Sequence, residues 1–350
     1  MPAFKNKNRE ETVVKKEFLN WGVLGCSNIA DMAVIPAIKA ACNAKLYAIS
    51  EEFAKQKIEV FKNKYNPVKA YDSFQAVLDD PEVDAVHIDL PNSQHYEWVL
   101  KAAKKKKYIL CEKPLGCNAE QVKTMFEVCR ENGVPLMEAF AYRQSPVIKK
   151  TKELTDSGIV GKIKLIECYF AYPMFDLRNV RLTRAIGGGA TYDVGCYNFN
   201  FIRYIAGKEP VSSYSSGEIS EKANVDENVL TVLEFEDGLK GISHAAFNCG
   251  FRNEYRIIGD EGIIEAVDGF NAKGALTITI KKDDDFFIRG RNYRNITVEC
   301  PDCYMLEVEQ FGRHVLEGEA PLISADDSYN NAVLIDRVLS DVYKSDKPVF

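Results

Sequence analysis

Between residues 17 and 143 short apolar runs alternate with helical stretches, an order that few folds accommodate. The runs lie at 20–24, 45–49, 85–90, 108–111 and 135–139, and most of the gaps between them carry helical spacing. The clearest gap is 120–132, with Val122, Met125, Phe126 and Cys129 on one face and Gly133 just past the end. Strands joined through helices build a parallel sheet with right-handed crossovers. Beyond about residue 160 the pattern changes to β-rich runs at 162–172, 211–220, 228–235, 240–248, 255–258 and 276–281, several of them separated by turn signals such as Asp237-Gly238. This half reads as one mostly antiparallel sheet, with helices expected over 193–205 and 326–344.

The size fits that division. A chain of 350 residues, 46% hydrophobic and 27% charged, is ordinary for a two-domain globular protein. A net charge of -6 argues against nucleic acid as a partner, and the one basic block, Lys104 to Lys107, closes a predicted helix where lysines suit the helix dipole. No apolar run is long enough to span a membrane, and the start of the chain lacks the apolar core of a signal peptide, so a cytoplasmic location is expected. The ten cysteines show no disulfide framework or metal spacing, and no metal is expected; Cys300-Pro301-Asp302-Cys303 is the single C-x-x-C and no second pair follows it.

Three strand ends carry the chemistry. The first strand runs into Gly25-Cys26-Ser27-Asn28-Ile29-Ala30, in the place of a dinucleotide G-x-G-x-x-G. Gly25 supplies the tight turn, while Ser27 and Ala30 replace the second and third glycines and still let the helix start aim its free N–H groups at phosphates. The second strand ends in Glu51, placed to accept from both ribose hydroxyls of NAD and to repel the extra phosphate of NADP; the alternative is that Glu51 caps the next helix. The third reaches Leu90-Pro91-Asn92-Ser93-Gln94-His95, where Pro91 and Asn92 face the cofactor and His95 is either a ligand contact or an early helix residue.

The fourth strand ends in Cys111-Glu112-Lys113-Pro114, which brings a charged pair to the same edge. An X-Pro bond can also be cis, which would aim Lys113 sharply. A glycine-rich approach, Gly187-Gly188-Gly189, then leads to Asp193 and Tyr197, whose spacing puts both on one helix face. Alone, Asp193 could be an N-cap and Tyr197 a core aromatic.

These motifs, with the segments Glu138-Ala139-Phe140-Ala141-Tyr142-Arg143 and Asn179-Val180-Arg181-Leu182, lie in the order and spacing of a known group. The sequence resembles the glucose-fructose oxidoreductase, inositol dehydrogenase and rhizopine-catabolism family of NAD(P)-dependent oxidoreductases over nearly its whole length. That resemblance implies an α/β protein with a Rossmann dinucleotide-binding domain over 1–143, of which 1–16 is peripheral. Over 144–350 it implies an α+β domain that binds substrate and forms a homodimer or homotetramer through a large open sheet, with the final helix packed back on the first domain. Lys113, Asp193 and Tyr197 become the catalytic set, and Tyr197 in place of a histidine is similar to the branch with dihydrodiol and xylose dehydrogenases. Ser27 and the absence of a histidine in Gln144-Ser145-Pro146 depart from the family pattern.

The expected cofactor contacts are Gly25, Cys26, Ser27, Asn28, Ile29, Glu51, Pro91, Asn92, His95, Glu112 and Lys113, with NAD as cofactor. The expected substrate contacts are Lys113, Arg181, Asp193 and Tyr197, with Glu112 and Arg143 as further pocket support. The expected reaction moves hydride between the nicotinamide and a hydroxyl carbon of a sugar, polyol or cyclic diol. Tyr197 is the general acid/base, its phenol pKa lowered by the Lys113 ammonium. The alternatives are an internal redox cycle on tightly held NAD and a non-catalytic dinucleotide sensor.

Overall fold

A computed structural model describes residues 16–283 and 291–344. The first domain runs β1 (Leu19–Leu24), a π-helical turn (Ala30–Val34) continuing into α1 (Ile35–Ala40), β2 (Ala44–Ser50), α2 (Gln56–Tyr65), β3 (Lys69–Tyr71), α3 (Phe74–Asp79), β4 (Ala85–Ile88), α4 (Asn92–Lys104), β5 (Tyr108–Glu112), α5 (Ala119–Glu131) and β6 (Leu136–Ala139). Its strands pair in the order β3-β2-β1-β4-β5-β6, and every pairing is parallel. The order reverses between β1 and β4. That switch point opens a crevice beyond the carboxyl ends of the strands, where such sheets take ligands. Helices cover both faces, so β4 is buried along its whole length.

The second domain runs α6 (Pro146–Asp156), β7 (Ile163–Ala171), a π-helical turn (Thr191–Gly195) continuing into α7 (Cys196–Ala206), β8 (Ser212–Ile219), β9 (Asp226–Glu234), β10 (Lys240–Ala246), β11 (Arg252–Gly259), β12 (Ile263–Val267), β13 (Gly274–Asp283), β14 (Arg291–Cys300), α8 (Cys303–Glu317) and α9 (Ala325–Tyr343). The eight strands pair in the order β14-β13-β12-β11-β7-β10-β9-β8. Only β7 with β10 is parallel, so the sheet is mixed and mostly antiparallel. Its inner face carries Ile166, Cys168, Tyr255, Ile257 and Ile264 in the alternation expected of a half-buried sheet.

α7 is buried nearly all round, the mark of a helix inside a structure rather than on it. It packs on β7 and carries Phe199, Phe201 and Ile202 into a core that also holds Trp21, Val23 and Ile35 of the first domain. The two domains therefore share one apolar interior. The last helix returns to the first domain: α9 packs on α5, and Asp336 Oδ2 accepts from Ala119 N at 2.9 Å. Arg203 and Arg143, both buried, converge on Asp327 at 2.8 and 3.0 Å.

Candidate active site

Four strand ends and one helix start line the crevice. After β1 the chain turns at Gly25, whose φ of +106° and whose approach to the Asp89 carbonyl, 2.3 Å from where a Cβ would stand, exclude any side chain. Glu51, directly after β2, holds this turn: its Oε2 accepts from Cys26 N at 3.0 Å, and its Oε1 accepts from Phe53 N and Ala54 N at 2.9 and 3.2 Å. Glu51 thus braces the loop before α2 rather than capping that helix, whose N-cap is Lys55, and its carboxylate lies against the glycine turn. Ser27 Oγ accepts from Ile29 N and Ala30 N at 3.0 and 3.1 Å, while Asn28 is exposed and Ile29 half-buried. A turn closed to any Cβ, with small residues around it, fits the close approach of a dinucleotide diphosphate, which would displace Ser27 Oγ from the helix-start N–H groups it holds.

Pro91 is the N-cap of α4, and Asn92 Nδ2 donates to Gly187 O across the crevice at 2.7 Å. Asn92 is thus committed to the glycine-rich approach of the second domain. His95 is fully buried, with Nε2 2.9 Å from Leu90 O and Nδ1 2.9 Å from Pro114 O. Burial holds its pKa below the ordinary histidine value, against the pull of the carbonyls that its ring nitrogens face. Of its two readings, that of an interior helix residue matches this placement: both ring nitrogens face backbone carbonyls, and His95 stitches the exit of β4 to that of β5.

The chemical centre forms where β5 meets the second domain. The Lys113–Pro114 bond is cis. Lys113 Nζ donates to Asp193 O at 2.7 Å and to Asp193 Oδ1 at 3.2 Å, and it lies over the Tyr197 ring, 4.8 Å from its centre. Arg181 Nε is 2.8 Å from the same Oδ1, and the Tyr172 hydroxyl donates to Oδ2. Asp193 therefore gathers two cations and a phenol. Burial alone would raise its pKa, but Arg181 and Lys113 outweigh burial and hold the carboxyl well below the usual range. Lys113 shows the converse: burial disfavours its ammonium, and Asp193, with Cys196 and Glu112, together outweigh burial, so its pKa stands above the ordinary lysine value.

Tyr197 corrects one expectation. Its hydroxyl accepts from Asn271 Nδ2 at 3.2 Å, while the Lys113 ammonium sits over the ring rather than beside the oxygen. Burial, reinforced by Glu112, pushes the phenol pKa well above its ordinary value instead of below it. The phenol is a loaded proton donor at neutral pH. Phe140, Tyr142, Phe170 and Phe270 pack around its ring at 5.4 to 5.8 Å between ring centres. Glu112 is buried behind it and pushed up to about 7, chiefly by burial.

The other expected residues divide. Glu112, Lys113, Arg181, Asp193 and Tyr197 come together in the crevice. Arg143 does not: its Nη1 meets Asp327 and Asn200, its guanidinium stacks 3.7 Å over the Tyr204 ring, and its place is the support between domains. Cys300 and Cys303 are buried free thiols, Cys303 Sγ lying 3.6 Å from Asn271 Oδ1. Among the described residues no cluster of His, Cys, Asp or Glu could hold a metal ion. The sequence reading missed Tyr172, Asn271 and Tyr304, whose hydroxyl lies 3.5 Å from Asn271 Nδ2. Only Tyr172, ending a predicted strand, carried a signal that could have found it.

A Rossmann sheet whose strand ends meet a lysine, carboxylate and tyrosine cluster on a second, mixed-sheet domain defines a dinucleotide-dependent oxidoreductase. Residues 19–140 match the model of an oxidoreductase family with an NAD-binding Rossmann fold, and residues 148–265 match that of the GFO/IDH/MocA C-terminal domain. The chain is 31% identical over 326 residues to a D-xylose 1-dehydrogenase (NADP(+)) of Haloferax volcanii, covering 93% of this chain and 96% of the relative. It is 27% identical over 329 residues to a trans-1,2-dihydrobenzene-1,2-diol dehydrogenase of Xenopus laevis, covering 92% and 97%. A 3-ketoreductase of Actinomadura kijaniata, solved with NADP and TDP-benzene, shares the fold with a TM-score of 0.87 at 24% identity, over 93% of this chain and 98% of that one. The protein belongs to the GFO/IDH/MocA family of NAD(P)-dependent oxidoreductases.

Proposed function

We propose that this protein interconverts a secondary alcohol and a carbonyl on a sugar, polyol or cyclic diol, with NAD preferred to NADP. The observation that carries the reading is the cluster of Lys113, Asp193 and Tyr197 at the switch-point crevice. Bound along the Gly25 turn, a nicotinamide dinucleotide supplies the two-electron carrier. Lys113, kept cationic by Asp193, hydrogen-bonds the reacting oxygen and favours negative charge on it. Tyr197 gives its proton to that oxygen in reduction and takes one in oxidation. Arg181 and Tyr172 fix Asp193, which in turn fixes Lys113.

The substrate class is supported by the xylose and dihydrodiol dehydrogenases among the relatives. The NAD preference rests on Glu51, followed by Glu52, which place two carboxylates beyond β2 where a basic residue would welcome an additional phosphate. A homo-oligomer through the outer face of the large sheet is supported by the exposure of Tyr214, Leu230 and Val267 there. Ten free thiols suit the reducing cytoplasm.

The test is a fluorescence titration with NADH and NADPH, followed by a screen of aldoses, inositols and cyclic diols at the reduced-nicotinamide absorbance. Lys113→Ala and Tyr197→Phe should each lose roughly 10²–10⁴-fold in turnover while still binding NADH. Binding of neither dinucleotide would overturn the reading, and tighter binding of NADPH would overturn the NAD preference.

A further inference from the structure

Ser27 stands where a dinucleotide turn ordinarily has a glycine, and the structure gives the hydroxyl a partner. Ser27 Oγ accepts from Ile29 N and Ala30 N and donates to Asp89 Oδ2 at 3.0 Å. It therefore occupies the N–H groups that a diphosphate would take. Asp89 directly follows β4, is 5% exposed, and presses its own carbonyl against Gly25. Glu112 at the end of β5 and Arg181 from the second domain face it. Cys26 of the turn and Cys111 of β5 also face it, and Glu51, Lys57 and Asp31 gather around Cys26.

We propose that Asp89, working through Ser27, is a proton-sensitive determinant of dinucleotide affinity: a seated diphosphate competes with Ser27 Oγ for the same N–H groups and lies beside a carboxyl that tolerates it when neutral. This rests on the reading that the turn holds a dinucleotide. Burial, reinforced by Glu112, raises the Asp89 pKa well above the carboxylate range, against the opposing pull of the Ser27 hydroxyl and Arg181. Below that pKa the carboxyl is uncharged and adds no repulsion. As pH rises through it, a negative charge forms next to the diphosphate, and affinity falls. By linkage, binding above the free protein's pKa takes up a proton.

The experiment is titration of the full chain with NADH by fluorescence and with ADP-ribose by calorimetry, between about pH 5 and about pH 9. Calorimetry in two buffers of different ionisation enthalpy counts protons taken up. The expected wild-type Kd weakens with rising pH, its slope approaching about tenfold per pH unit, with uptake approaching about one proton. Asp89→Asn should bind more tightly than the wild type at alkaline pH, with a shallower profile and less uptake, the remainder belonging to Glu112. Ser27→Ala removes a hydrogen bond that favours the charged carboxylate, so its profile should move to higher pH. A flat wild-type profile, or one equally steep in Asp89→Asn, overturns the proposal while leaving the dinucleotide site intact. Failure of NADH, NADPH and ADP-ribose to bind at any pH overturns the underlying reading of the turn as well.

Discussion

At the scale of single residues the centre is an exercise in charge balance. Asp193 is a buried carboxylate with two cationic partners, and removing one side of such a group leaves the other uncompensated. Asp193→Asn should therefore cost on the order of 3–5 kcal/mol in chemical denaturation, and adding Lys113→Met should restore part of that loss. Because the folded pKa of Asp193 is depressed, its stabilisation is present above the ordinary carboxylate pKa and fades as pH falls below it. The stability gap between wild type and Asp193→Asn should narrow in acid; a gap constant with pH would refute the ion-pair account. In the proposed mechanism Tyr197, whose pKa burial raises, would set the kinetic pH dependence. Alcohol oxidation should accelerate with pH through the alkaline range, and carbonyl reduction should hold level until the phenol ionises. Strand ends and helical spacing pointed to Lys113, Asp193 and Tyr197 as positions, while their expected roles came only from the family resemblance, because spacing alone does not tell a pocket residue from an N-cap or a core aromatic. The direction of the Tyr197 shift was not legible, because it depends on which part of the ring the ammonium faces.

At the scale of elements, turns that admit no side chain hold the site. Gly25→Ala would force a Cβ into the Asp89 carbonyl at a φ that side chains rarely adopt, and Gly189→Ala, at φ +128°, would meet Asp226 Oδ1 at 2.1 Å. Both should lower the melting temperature, and Gly25→Ala should also abolish NADH binding measured by fluorescence. β6 contributes a different liability. Glu138 is 2% exposed and pushed up to about 7, mainly by burial, although its Oε1 accepts from Leu115 N. The unfolded chain ionises it near pH 4, so the folded state carries a penalty that grows with pH between those two values and then levels off. Glu138→Gln should match the wild type in acid and exceed it by on the order of 2 kcal/mol near pH 8 in urea unfolding. Most strands of both sheets, though not β12, announced themselves by apolar runs. β3 did not, since Lys69–Tyr71 is too short to show alternation, and β14 did not, since Arg291–Cys300 is rich in polar residues. α8 escaped notice although Val308 and Phe311 are buried on it.

At the scale of the whole molecule, division into a parallel and a mostly antiparallel half follows from sequence periodicity, whereas docking of the halves follows from contacts between residues far apart in the chain. Asn92 to Gly187, Tyr192 to the Cys117 carbonyl, Ala119 to Asp336 and Lys113 to Asp193 all cross the junction. Truncation before α9 removes Asp327, Asp336 and the buried Leu334, Ile335 and Val338 together. It should expose apolar surface on both halves, and dye binding together with limited proteolysis should report a loosened first domain as well as a damaged second. The Lys113 to Asp193 contact has a wider consequence. Lys113 comes from one side of a seam and Asp193 and Tyr197 from the other, so assembly of the cluster is itself an equilibrium that every residue along the seam helps to set. A survey of substitutions scored only by turnover would then draw the centre far larger than the handful of atoms that meet the substrate, and would count as chemists many residues that are only carpenters.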